Sequence, residues 1–121
     1  MREEQVDEQE SPQSSDQKNQ PDLDQEIAAG EWQRLNEFPS FRRRSRQGKI
    51  IATYQAISNR LNQVVALYYQ FVRNHPDKAV RLLKEIKRLR FLQEFLLNCL
   101  IWEEKGEMKE KGIPQELSGL I

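Results

Sequence analysis

Arg42, Arg43, Arg44, Arg46 and Lys49 place five positive charges within eight residues. Guanidinium groups hold phosphates and carboxylates through paired hydrogen bonds, and the adjoining Phe41 could stack on a base, so this stretch is a candidate anion-binding segment. Lys78, Arg81, Lys84, Lys87, Arg88 and Arg90 form a second basic stretch, interrupted up to residue 94 only by Glu85 and Glu94. On a helix Arg81, Lys84 and Arg88 share a face, and Glu85 and Glu94 are spaced to pair with Arg81 and Arg90. A charge run of this kind is commonly a solvated face, but six bases against two acids is a bias that a partner can use. The residues expected to contact nucleic acid or an acidic protein partner are therefore Arg42, Arg43, Arg44, Arg46, Lys49, Arg81, Lys84 and Arg88.

Catalytic chemistry finds less material. The chain has one histidine, His75, and one cysteine, Cys99. Acid–base and metal chemistry need several such groups converging on one point. Paired Glu-x-x-His motifs of the kind that hold two metals in helical bundles are absent, as is a glycine-rich phosphate loop. The sequence predicts no enzymatic activity, no metal site and no cofactor. With one thiol no internal disulfide can form, and the acidic start of the chain does not read as a secretory or transit signal. No run approaches the roughly 20 apolar residues that span a bilayer, so a cytoplasmic setting is expected.

One short motif stands out. His75-Pro76-Asp77-Lys78 resembles the signature of J-domain cochaperones, which also lies between two antiparallel helices and engages a heat-shock chaperone partner. The resemblance covers four residues. The Tyr-x-x-Leu-Gly-like segment ahead of the family's second helix is missing here, and the basic surface expected before the motif is reduced to Arg73. The residues by themselves read as punctuation: Pro76 breaks one helix and starts the next, with Asp77 at the positive helix end.

The elements that must position these groups follow from apolar spacing. Ile50, Tyr54, Ile57, Leu61, Val64, Tyr68 and Phe71 alternate steps of four and three, and all seven seam positions are apolar, which predicts an amphipathic helix over 50–74. Tyr69 lies off that seam and is the aromatic expected at the surface. A second helix is predicted over 76–105, with Gly106 as its C-terminal stop. A short connection makes neighbouring helices antiparallel. Leu23, Ile27, Trp32, Leu35 and Phe38 suggest a marginal helix, or two short ones, over 22–38, weakened at Gly30 and ended by Pro39. Ile113, Leu117, Leu120 and Ile121 suggest a small cap over 114–120.

The expected fold is all-α: a long antiparallel helical hairpin with short flanking helices over 21–121, preceded by a disordered acidic N-terminal tail over 1–20. That tail holds two apolar residues, Met1 and Val6, too few to offset the entropy of ordering. The formal net charge of zero is a sum of opposed blocks: nine acids and two bases in 1–30, fourteen bases and five acids in 31–102, five acids and three bases in 103–121. Residues 95–102 are apolar on nearly every side, so Phe95, Leu96, Leu100 and Trp102 are expected to form an interaction surface, coiled-coil-like, in a homodimer or larger complex. Two functional readings follow. One is a small binding or assembly subunit whose basic face contacts nucleic acid or an acidic partner. The other is an adaptor or regulator that docks a partner through the apolar hairpin face.

Overall fold

The computed structural model describes residues 22–106 and 112–121. The predicted disordered tail over 1–20 lies outside the described residues. Among the described residues four α-helices occur in order: α1 (Leu23–Ala28), α2 (Pro39–Arg42), α3 (Arg46–Phe71) and α4 (Pro76–Lys105). One 3-10 helix, Trp32–Glu37, precedes α2, and another, Gln115–Leu117, follows α4.

The hairpin is formed by α3 and α4, which make the most extensive packing in the chain. Helix α3 begins at Arg46, four residues ahead of the apolar seam, because Ser45 caps it: its Oγ accepts a hydrogen bond from the Gly48 backbone N–H at 3.1 Å. It ends at Phe71 rather than Asn74, and the His75 N–H closes the turn on the Phe71 carbonyl at 2.8 Å. Pro76 occupies the first turn of α4, where its missing N–H costs nothing. At the other end Gly106 adopts φ +72°, and its N–H meets the carbonyls of Trp102 and Glu103.

The predicted seam faces α4. Ile50, Ile57 and Val64 are fully buried, and Tyr54, Leu61 and Tyr68 pack against the same core. Opposite them on α4 lie Ile86, Leu89, Leu92, Leu96 and Cys99. Ala52, Thr53 and Ala56 are also fully buried, because α3 packs against the N-terminal segment as well as α4.

That segment is not the single helix over 22–38. Gly30 turns the chain at φ +79°, and a Cβ there would stand 2.8 Å from the Arg60 backbone nitrogen. Only glycine allows both the left-handed turn and this approach to α3. Asn59 Nδ2 then donates to the Ile27 carbonyl at 2.8 Å, and Gln63 Nε2 to the Ala29 carbonyl at 2.7 Å, so two α3 side chains satisfy the end of α1. Leu23, Ile27, Trp32, Leu35, Phe38 and Phe41 are all buried. The expected C-terminal helix is a single 3-10 turn that buries Leu117, and Leu120 is buried just after it, each worth about 1.5–3 kcal/mol.

Both flanking segments pack along the hairpin from its open end to about Gln63 on α3 and Arg88 on α4, short of the turn. Beyond Val64 no described residue of α3 is buried, and on α4 only Ala79 is buried ahead of Ile86. The turn end is therefore a two-helix arm projecting from a multi-element base. Among the described residues no helix is long and apolar enough to cross a membrane.

Candidate functional site

The first basic group sits at the base of the hairpin, where the chain passes from α2 into α3. Arg42 is exposed, and its guanidinium is tied to the backbone by Nη1, which donates to the Asn36 carbonyl at 2.9 Å. Arg43 and Arg44 are exposed, with no carboxylate partner among the described residues. Arg46 and Lys49 are half-buried on the first turn of α3. Phe41 is buried in the core, so the expected stacking of this ring on a base is corrected: it anchors the segment and is unavailable to a ligand.

The second group lies on α4 toward the turn. Arg81 and Lys84 are exposed and without an ion-pair partner among the described residues. Arg88 is different. It is held by both Glu116 carboxylate oxygens, and its guanidinium also lies 4.8 Å from the Phe91 ring centre. The expected Arg81–Glu85 pair does not form, because Glu85 reaches across the hairpin to Arg60, with Nε–Oε2 at 2.8 Å and Nη2–Oε1 at 3.3 Å. Arg90 and Glu94 make no ion pair with each other. Sequence spacing within one helix could not see a competitor on another helix, or one on the C-terminal segment.

The two groups are separated along the hairpin. Arg60 meets Glu85 across the hairpin, so the level of Lys84 on α4 lies beside Arg60 on α3, and the first group precedes Arg60 at the other end of α3. At a rise of about 1.5 Å per residue, the 14 residues from Arg46 to Arg60 set the two groups about 21 Å apart along the hairpin. Charges in solvent are screened over about 8 Å at physiological salt, so a small anion meets one group at a time.

Other sites offer less. Burial pushes the Cys99 thiol up from its ordinary range; Arg46 works against that shift and Glu103 adds to it. The thiol is fully enclosed, which disfavours a nucleophilic role. A cleft of about 400 Å³ lies between the 3-10 helix and α4, walled by Trp32, Arg60, Glu85, Arg88 and Glu116. Its two cations already face two carboxylates, and Glu31 adds a third acid to the lining, so it presents no free positive charge to an anion. Among the described residues no three His, Cys, Asp or Glu side chains gather closely enough to hold a metal ion.

The turn carries His75, Pro76 and Asp77, all exposed. His75 packs edge-on against Phe71, and the Lys78 ammonium lies 5.0 Å from the same ring. Helix α4 begins inside the motif, so the turn is a tight helix break rather than an extended loop. Tyr69 is 72% exposed and meets Tyr68 edge-on.

The apolar stretch 95–102 divides between inside and outside. Leu96 is a core residue, and Phe95 and Leu100 pack against the core, so these three are corrected from an outward surface to hairpin packing. Trp102 is exposed and touches Phe95 edge-on. The outward residues of the stretch are Leu97 and Ile101, which the apolar run alone did not separate from their neighbours. Comparison with known protein families, curated proteins and solved structures finds nothing that matches this chain.

Proposed function

We propose that the protein is a non-enzymatic helical binding subunit whose basic surface engages an extended polyanion, nucleic acid, in a cytoplasmic setting. One observation carries this reading. Arg43 and Arg44 at the base, and Arg81 and Lys84 on α4, stand exposed without carboxylate partners among the described residues, in two groups about 21 Å apart along the hairpin. A small phosphorylated ligand can touch one group; a chain of phosphates can lie along both. Arg88 drops out of the expected contact set because Glu116 holds it.

The test is fluorescence anisotropy with labelled oligonucleotides across a salt series. Log affinity should fall linearly with log salt, with a slope of about 0.9 per phosphate neutralised on duplex DNA. Arg43→Ala with Arg44→Ala should lower that slope by about 1–2, and Arg81→Ala with Lys84→Ala by a similar amount. Absence of binding at low salt by folded protein rejects the reading. It would favour the adaptor alternative, which has its own support in the exposed apolar residues of α4.

A further inference from the structure

Helix α4 is amphipathic twice over. One side packs on α3 through Leu89, Leu92, Leu96 and Cys99. On the opposite side Val80, Leu83, Lys87, Arg90, Glu94, Leu97 and Ile101 recur in strict steps of three and four, and every one of them is exposed. The four aliphatic members are exposed by 52%, 37%, 45% and 48% in chain order, and Phe91 flanks them at 49%. This is the spacing of a helix–helix seam. No described element of the chain covers it.

The charges on this helix are ordered. Up to Arg90 it carries six bases against Asp77 and Glu85, whereas from Glu94 onward it carries Glu94, Glu103 and Glu104 against Lys105. Arg90 and Glu94, at the middle of the seam, have no partner among the described residues. A helix that is basic in its first half and acidic in its second is complementary to itself when reversed.

We propose that the outward face of α4 pairs antiparallel with the same face of a second copy of this chain. In the register that the seam allows, Arg90 lies opposite Glu94 of the second copy, twice, at the centre. Leu83 lies opposite Ile101 of the second copy at each end. Lys87 lays its aliphatic stem along Leu97 of the second copy and keeps its charge in water. A parallel pairing sets Lys87, Arg90 and Glu94 each against its own duplicate, so like charges exclude it. The twofold arrangement closes on itself and leaves no open end for further growth.

The area sets the expected strength. The seam from Val80 to Glu104 is about 36 Å long, and a ribbon about 10 Å wide on each copy totals roughly 700 Å². That lies below the roughly 1,200 Å² lower bound of stable interfaces, so the dimer is expected to be reversible, with a dissociation constant on the order of 10 µM or weaker.

Sedimentation velocity of the full chain over about 1–500 µM tests this range. The expected result is a monomer that converts to a dimer with rising concentration. Arg90→Glu alone, or Glu94→Arg alone, acts twice by symmetry and should weaken association about tenfold or more. Carrying both substitutions together restores the opposite-charge match and should return association to near that of the original chain. Leu83→Lys should weaken it by a route that the charge swap does not rescue. All three positions are exposed, so circular dichroism should remain unchanged. A chain that stays monomeric throughout overturns the proposal. So does a dimer indifferent to the single reversals, which must use another face.

Discussion

Thr53 illustrates how the fold constrains a single residue. It lies on α3 between Ala52 and Ala56 with no exposed surface, and its Oγ1 has no hydrogen-bond partner. A buried hydroxyl without a partner carries its full desolvation penalty. Thr53→Val keeps the branched shape and removes the polar atom, so it should raise stability by about 1 kcal/mol. A higher urea midpoint with an unchanged slope is the expected signature, and a lower midpoint would mean that the hydroxyl is bonded after all. The same scale explains why some basic residues could not be assigned from their type. Arg81 and Arg88 share a helical face, yet Arg88 is neutralised by Glu116 and Arg81 is not. The difference comes from a carboxylate 28 residues further along the chain.

Among the elements, the two long helices were legible because each carries an unbroken apolar period and a clear stop. Seven seam positions of α3 and the Pro76 break sufficed to place the hairpin. The N-terminal segment was less legible because its apolar spacing fits a helix while Gly30 interrupts it for a tertiary reason, the Arg60 backbone behind it. Gly30→Ala should therefore cost more than Gly106→Ala. Gly106 has the same left-handed turn, at φ +72°, but nothing within 4 Å of a Cβ. The expected losses are about 1 kcal/mol at Gly106 and at least about 2–3 at Gly30, compared by denaturant midpoints. The C-terminal turn gives a pH prediction. The Arg88 guanidinium holds the Glu116 carboxyl below the usual glutamate range, against a smaller upward push from burial. A depressed carboxylate contributes its stabilisation at neutral pH and loses it as pH falls through the depressed value. Both partners are substantially exposed, so the effect on global stability is small. The local effect should be visible: NMR signals of Leu117 and Leu120 should stay constant at neutral pH and shift in acid, and Arg88→Gln should move that transition up toward the ordinary glutamate range.

For the whole molecule, the decisive quantity is the separation between its two unmatched basic groups. The antiparallel hairpin expected from the sequence already separates them, because the start of α3 then lies beside the end of α4 and not beside Arg81 and Lys84. With Arg60 meeting Glu85 across the hairpin, Arg43 and Arg44 belong to the base, and Arg81 and Lys84 lie on the turn side of that contact. Phosphates along one strand of duplex DNA repeat every 3.4 Å or so, and a gap of about 21 Å spans roughly six of them. A hairpin duplex of about 5 base pairs can satisfy one group, whereas one of about 15 can reach both. Affinity per site should therefore step upward between these lengths by more than the added number of equivalent positions explains. The step should vanish when Arg81 and Lys84 are both replaced by alanine, while affinity for the short duplex at the base changes little. Arg43→Ala with Arg44→Ala should remove the step as well, leaving only the arm. A smooth dependence on length in the original chain would mean that the groups never act together on one strand. Each basic group would then have to be understood through a separate partner.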